Sequence, residues 1–246
     1  LLEQIDANNG VIQGLILCPT RELGKQVAKQ LFKYTKYSTQ IFTEAVYGGE
    51  HIDRQIVDLK RTTHIVVATP GRLIDLVEKK ALDLSNVKTI ILDEADEMLS
   101  MGFKKELNQI LNFLPKVENK WLFSATMPQG IQEIIAEHLS KDYENIKINP
   151  DSKVNKKIDH RYLICEDDAK LNILLQFLKT EHKNRGVIFC KTKAATKKLT
   201  KQLIAKNISV DGIHGDLLQK ERDKAMRAFK GKKVQFLVST DVAARG

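Results

Sequence analysis

Val87-Lys88-Thr89-Ile90-Ile91-Leu92 runs straight into Asp93-Glu94-Ala95-Asp96. A β-branched apolar run that ends abruptly in acids predicts a buried strand whose carboxyl end opens onto a polar edge. Two carboxylates at such a point can hold a magnesium ion and position a water. They need something else to grip a nucleotide triphosphate, and no G-x-x-x-x-G-K-[ST] loop occurs among the 246 residues. The nearest cases, Leu23-Gly24-Lys25-Gln26 and Lys230-Gly231-Lys232-Lys233, lack the first glycine and the hydroxyl residue. Half of an ATPase site is written here without the other half.

Outward from that stretch, short apolar runs alternate with longer amphipathic ones. Leu15–Cys18, Ile65–Ala68, Thr89–Leu92 and Trp121–Ser124 read as strands in the first part, and Tyr162–Cys165, Gly186–Cys190 and Val234–Val238 in the second. Arg21–Tyr34, Arg72–Lys79, Ala169–Lys179 and Ala194–Ala205 carry helical periodicity. Continuous apolar strands alternating with helices predict α/β architecture, a parallel sheet covered on both faces. Around Ile148-Asn149-Pro150-Asp151-Ser152-Lys153 the periodicity lapses and turn-forming residues cluster. The expected organisation is a domain over 1–150, a linker over 151–157 and a domain over 158–246.

Composition narrows the class. Apolar residues make up 42% and charged residues 29%, ordinary for a chain with a packed core. No apolar run approaches the roughly 20 residues of a membrane-spanning helix, so no membrane partner is expected. Leu1–Asp6 lacks the features of a signal peptide and resembles the continuation of a helix. Cys18, Cys165 and Cys190 are too scattered for a zinc site and read as buried free thiols of a reducing, cytoplasmic compartment. The net charge of +9 is lopsided: residues 1–150 hold 18 Lys and Arg against 20 Asp and Glu, residues 151–246 hold 22 against 11. That asymmetry suggests a polyanion engaged mainly by the second half, although on charge alone lysines solvating helix faces explain it slightly better.

Ligands of open α/β sheets bind beyond the carboxyl ends of strands, so the segments just after each strand carry the chemistry. They are Pro19-Thr20-Arg21-Glu22-Leu23, Gly48-Gly49, Thr69-Pro70-Gly71-Arg72, Asp93-Glu94-Ala95-Asp96, Ser124-Ala125-Thr126 and Ser239 to Gly246. Helix-start amides and glycines admit phosphates, and arginine adds a bidentate grip. Singly, each has an ordinary explanation: Thr-Pro-Gly is a common turn, Ser and Thr are common caps, and acids at a helix start complement its dipole.

In this order the segments resemble the DEAD-box RNA helicase family over essentially the whole chain. Pro19–Leu23 is similar to motif Ia, Gly48-Gly49 to the GG motif, Thr69–Arg72 to motif Ib, Asp93–Asp96 to motif II and Ser124–Thr126 to motif III. Phe189 falls in motif IV. His214-Gly215-Asp216 with Gln219 and Arg222 matches the segment that follows, and Ser239–Gly246 most of motif V. The resemblance implies two RecA-like domains, ATP and Mg2+ as cofactors, and RNA as partner, single-stranded or a short duplex. A monomer is expected. By the same resemblance Asp93 is the magnesium carboxylate acting through water, Glu94 positions the attacking water, and Asp96 bonds Ser124 and Thr126. Backbone contacts to RNA are implied for Pro19, Thr20, Arg21, Gly48, Gly49, Thr69, Pro70, Gly71 and Arg72. Phe189, Lys191, Gly215, Gln219, Arg222, Ser239 and Thr240 are implied in the second domain. The helix from Arg72 is the implied wedge that bends the strand. Lysines 197, 198, 201 and 206 are weaker candidates, and His214 has no second metal ligand at suitable spacing.

The same resemblance places a nucleotide-binding Q motif and P-loop ahead of Leu1, and motif VI arginines beyond Gly246. The expectation is therefore two RecA-like domains each incomplete at a chain end, the first deprived of a central strand. The 246-residue chain is expected to show no RNA-stimulated ATP hydrolysis and only marginal folding of residues 1–150. Two alternatives stand beside the ATP-dependent RNA helicase: a non-catalytic RNA-binding or scaffold remnant, and a DNA-directed helicase. Glu94 with Ser124-Ala125-Thr126 weighs against the first, since a passive clamp has no use for them.

Overall fold

The computed structural model describes residues 1–37, 40–148, 158–181 and 184–240. They fall into two compact units, one spanning Leu1–Lys141 and one beginning at Asp142. The expected linker over 151–157 lies outside the described residues.

The first unit is built on five parallel strands: β1 (Gly14–Leu17), β2 (Thr43–Val46), β3 (Ile65–Ala68), β4 (Thr89–Leu92) and β5 (Asn119–Leu122). They lie in the order β2-β3-β1-β4-β5. The two-residue side-chain period sorts the apolar runs onto two faces. Leu15, Leu17, Val66, Ala68, Ile90 and Leu92 meet one layer of helices: α3 (Pro70–Glu78), α4 (Ala95–Ser100), α5 (Lys104–Asn112) and α6 (Gln129–His138). Ile16, Cys18, Ile65 and Val67 meet Leu23, Val27 and Leu31 of α1 (Arg21–Thr35) on the other face, joined by Leu1, Leu2 and Ile5. A short helix, α2 (Ile52–Asp58), follows β2. Double coverage is why β1 and β3 have no polar positions.

Register matters most for function. Leu17 pairs with both Ala68 and Leu92, and Leu92 pairs with Leu122. The strands therefore end level, and Cys18, Thr69, Asp93 and Phe123 continue the hydrogen-bond ladder by one residue. Every candidate functional segment of this unit emerges along one edge of the sheet.

The second unit has three parallel strands, β6 (Gly186–Cys190), β7 (Val210–Ile213) and β8 (Phe236–Thr240), in the order β6-β8-β7. One face packs on Leu178 of α7 (Lys170–Thr180) and Leu203 of α8 (Lys193–Ala205). The other packs on Ala225, Met226 and Phe229 of α9 (Gln219–Lys230).

Several expectations need correction. Tyr162–Cys165 forms no strand: Tyr162 and Ile164 are 91% and 90% exposed, and a strand requires a neighbour to satisfy its backbone. β5 begins at Asn119 rather than Trp121, because pairing to β4 starts at Thr89–Asn119. β8 begins at Phe236, two residues later than the apolar run. Helix α3 starts at Pro70, with proline at the first helical position where its missing N–H costs nothing. Leu2–Gln4 is a single 3₁₀ turn rather than a continuing α-helix. The five described strands of the first sheet pair in unbroken order, with β2 and β5 at its edges. Of the three thiols only Cys18 is fully buried; Cys165 and Cys190 are partly exposed.

Candidate functional site

β4 delivers Asp93, and the chain then turns sharply into α4. Glu94 makes that turn in the left-handed region, φ 49° and ψ 52°, where a side chain is strained. The Asp93 carboxylate accepts the Glu94 N–H at 3.0 Å, and the Ala95 N–H bonds the Phe123 carbonyl at 2.9 Å. Burial pushes the Asp93 carboxyl above its ordinary value, against the lowering effect of the Glu94 N–H. Asp96 sits in the first turn of α4, where it meets the loop after β5. Its Oδ2 accepts the Thr126 N–H at 2.9 Å and the Thr126 hydroxyl at 2.6 Å, and the Ser124 hydroxyl donates to the Thr126 carbonyl at 2.6 Å. Burial raises the Asp96 carboxyl; hydrogen bonds from Thr126, Ser124 and Ala125 more than offset it, so it titrates below its ordinary value. A helix-dipole role alone leaves this cross-loop bonding unexplained. A groove of about 530 Å³ lined by Asp96, Leu99, Lys104, Thr126, Pro128 and Gly130 opens beside it.

No cluster of three or more metal-ligating side chains occurs among the described residues. The half-buried hard-oxygen carboxylate of Asp93 is compatible with a hard, largely hydrated cation such as magnesium.

Across the same edge, the ends of β1, β2 and β3 hold a second group. Thr20 caps α1, its hydroxyl accepting the Leu23 N–H at 3.3 Å, and Pro19 beside it is buried. Arg21 lies against Gly48 and Gly49. A Cβ at Gly49 would stand 1.8 Å from an Arg21 nitrogen, and its φ of +83° also demands glycine. Thr69 precedes α3 without capping it, Pro70 is buried, and Gly71 faces open space. Arg72 turns inward, its side chain only 10% exposed. It donates to the Gln55 side chain at 2.8 Å and the Glu50 carbonyl at 3.1 Å. Gln55 is buried and donates in turn to the Tyr47 carbonyl at 3.0 Å. Arg72 and Gln55 thus brace the glycine loop from within. Sequence reasoning missed Gln55; its one signal is a lone amide on the short helix after the glycines.

In the second unit Phe189 is exposed on β6 and Lys191 is exposed just after it. Cys190 pairs with Thr240, and Ile213 with Ser239, so these strand ends are also level. Ser239 is buried with its hydroxyl on the Thr240 carbonyl at 3.0 Å. Gln219 opens α9 and donates to Asp223 at 2.9 Å, while Arg222 is half-buried one turn on. Gly215 lies under the stem of Lys193. Asp216 accepts from Lys193 and Lys197, each at 2.9 Å, a cluster the motif reading passed over. Asp241–Gly246, the rest of the motif V segment, lie outside the described residues.

Comparison with known proteins gives a consistent picture. The model of a family described as DEAD/DEAH box helicase matches residues 1–134, and that of the helicase conserved C-terminal domain matches 169–246. The DEAD-box ATP-dependent RNA helicase CshA of Bacillus cereus (strain ATCC 10987) is 39% identical over 246 residues, covering 100% of this chain and 46% of its own. CshA of Streptococcus pneumoniae serotype 4 is 39% identical over 245 residues, with the same coverages. The chain thus spans about half the length of the curated relatives it matches. Among solved structures, S. cerevisiae Dbp5 bound to RNA and ADP BeF3 gives a TM-score of 0.87 at 26% identity, covering 100% of this chain and 62% of its own. A DEAD box protein from the hyperthermophile Methanococcus jannaschii gives 0.56 at 40% identity, with coverages of 100% and 65%.

Proposed function

The chain belongs to the DEAD/DEAH-box helicase family, and we propose that it serves an ATP-dependent RNA helicase that opens short duplexes locally, without regard to base sequence. The observation that carries this reading is the bonding of Asp96 to Thr126, which ties the acidic turn after β4 to the loop after β5. A passive RNA clamp has no need for such a link beside Asp93 and Glu94.

The roles divide along the sheet edge. Asp93 would hold magnesium, and the ion when bound would supply positive charge against the ATP phosphates. Glu94, aimed by its left-handed turn, orients the water that attacks the terminal phosphate. The Asp96–Thr126 link conveys the state of that site to the loop after β5. On the β1–β3 side, Pro19, Thr20, Arg21, Gly48, Gly49, Thr69 and Gly71 present hydroxyls, amides and one guanidinium. Such groups suit phosphate and 2′-hydroxyl rather than base edges. Arg72 acts through the loop it braces, and α3 behind it is the element that bends the strand. Phe189, Lys191, Gly215, Gln219, Arg222, Ser239 and Thr240 continue the backbone contacts in the second unit. Three free cysteines support a reducing cytoplasmic setting, and a monomer suffices for every role named.

The test is magnesium-dependent ATP turnover, stimulated by RNA, in a protein carrying these residues together with a phosphate-binding loop. Glu94→Gln should lower turnover by about a hundredfold or more and leave RNA binding intact. Turnover close to the native rate after this substitution would overturn the assignment.

A further inference from the structure

Asp216 is unusual among the carboxylates around α9. Glu221 has a structural task, accepting the Leu218 N–H at the start of that helix, and Asp223 holds Gln219. Asp216 makes no such bond. Its Oδ1 accepts from Lys193 at 2.9 Å and its Oδ2 from Lys197 at 2.9 Å, so each oxygen carries one ammonium group. The backbone of its turn is closed independently, by the Leu217 N–H on the His214 carbonyl.

The two lysines are oddly placed for stability. Lys193 is the first residue of α8, whose first turn contains no acid, so its charge opposes the positive end of the helix dipole. A helix start that also carries two ammonium groups favours an anion. Beneath the cluster His214 is 7% exposed, and its Nδ1 is buried without a hydrogen-bond partner. The cluster stands at the carboxyl edge of the sheet, because Ile213 pairs with Ser239 and the chain leaves β7 beside Thr240.

We propose that Lys193 and Lys197 form a masked phosphate subsite, and that Asp216 occupies it as a resident anion until an RNA phosphate displaces the carboxylate. The proposal rests on the RNA-binding reading above and extends it beyond Gly215. Exchange is cheap because the clasp is open to water: Lys193, Lys197 and Asp216 side chains are 59%, 49% and 43% exposed. Ion pairs that exposed contribute little. The two ammonium groups hold the Asp216 carboxyl down to about 2, so it remains an anion at any working pH and competes with phosphate rather than titrating away. One anion replaces another, and the displaced carboxylate turns to solvent. The device removes two lysines from indiscriminate attraction to polyanions and returns them when a strand already lies along the edge.

The opposite reading, in which the clasp merely fixes α8 to the loop after β7, has the opposite sign in experiment. Binding of a fluorescent single-stranded oligouridylate to the chain would be followed between 50 and 200 mM KCl, with thermal melts of every variant. Asp216→Asn should tighten binding about threefold to tenfold and steepen the salt dependence by about 0.7 to 1.4 in log–log slope, one or two further phosphates. Lys193→Ala/Lys197→Ala should remove that gain in the Asp216→Asn background and weaken binding in the native one. Unchanged or weaker binding by Asp216→Asn, with RNA still bound by the native chain, overturns the subsite alone. A native chain that binds no RNA overturns both readings. Asp216→Ser, which keeps a polar group too short to reach either lysine, must behave like Asp216→Asn; a lowered melt with weakened binding in both assigns the clasp to structure.

Discussion

Asp96 and Asp216 are both carboxylates set just beyond parallel strands, both titrate below the ordinary value, and they do so for unlike reasons. Asp96 is held by dipoles: a backbone N–H and hydroxyls from one three-residue loop. Asp216 is held by two full charges on flexible stems. Dipoles on a fixed loop define a geometry and cannot be traded for another ligand. Ammonium groups on lysine define only a charge and accept any anion. The same contrast extends to the surroundings, where buried amides brace the first edge and exposed ion pairs line the second. One edge is built to keep a shape, the other to exchange partners.

The sharpest way to break this contrast is at the acids themselves. Glu94→Gln should lower RNA-stimulated hydrolysis by about a hundredfold or more, as loss of a water-positioning base does, while RNA affinity moves less than about twofold. Asp216→Asn should act on binding instead, tightening RNA about threefold to tenfold, and steady-state kinetics beside an RNA titration would read both. If Asp216→Asn lowers hydrolysis as Glu94→Gln does, the division of labour is wrong.

Next in size is the bracing of the first edge. Gln55→Ala leaves the Arg72 guanidinium and the Tyr47 carbonyl without their buried partner, at about 1–3 kcal/mol and a fall of several degrees in melting temperature. Lys197→Ala, on the exposed edge, should leave the melt within about 0.5 kcal/mol of the native chain. Equal losses would erase the distinction between fixed and exchangeable.

Acid response sharpens it further. Because hydrogen bonding holds the folded-state pKa of Asp96 below that of an unfolded chain, the native chain binds fewer protons there than the unfolded one. The stability this contributes is complete above the unfolded value and is lost as pH falls through the folded one. Thr126→Val removes the hydroxyl donor, so the Asp96 carboxyl should titrate higher and the acid transition begin at higher pH, measurable by carboxyl NMR. The smallest effect is a salt comparison on the native chain. At 1 M KCl the Asp216 carboxyl should drift back toward its ordinary value while Asp96 stays put, since only the former depends on exposed charges.

Much of the fold was legible because β1, β3 and β4 are apolar runs covered on both faces, and β6 is an unbroken apolar run even though Val187 and Phe189 remain exposed. Thr43–Val46 and Val210–Ile213 escaped notice because they lie at sheet edges, where polar residues alternate with apolar ones. Tyr162–Cys165 misled for the converse reason: local hydrophobicity says what a segment prefers, but a strand needs a neighbour. The acids and the small-residue turns were legible in order and identity. What stayed hidden was long-range. Nothing near Arg72 in sequence says that Gln55 and the Glu50 carbonyl receive its guanidinium, and nothing near Asp216 announces two lysines about twenty residues upstream. Those bonds depend on how α2 and α8 pack, which no local pattern encodes.

The open edge at β5 carries a last consequence. Trp121 is the chain's one tryptophan, 52% exposed, stacked on Phe123 with ring centroids 6.4 Å apart, and followed within five residues by Thr126. The molecule therefore contains its own fluorophore beside the acidic turn. Anything that covers this edge must strip water from the indole and shift its emission to the blue. Events at Asp96 can thus be followed by light, in the native sequence, with no label added.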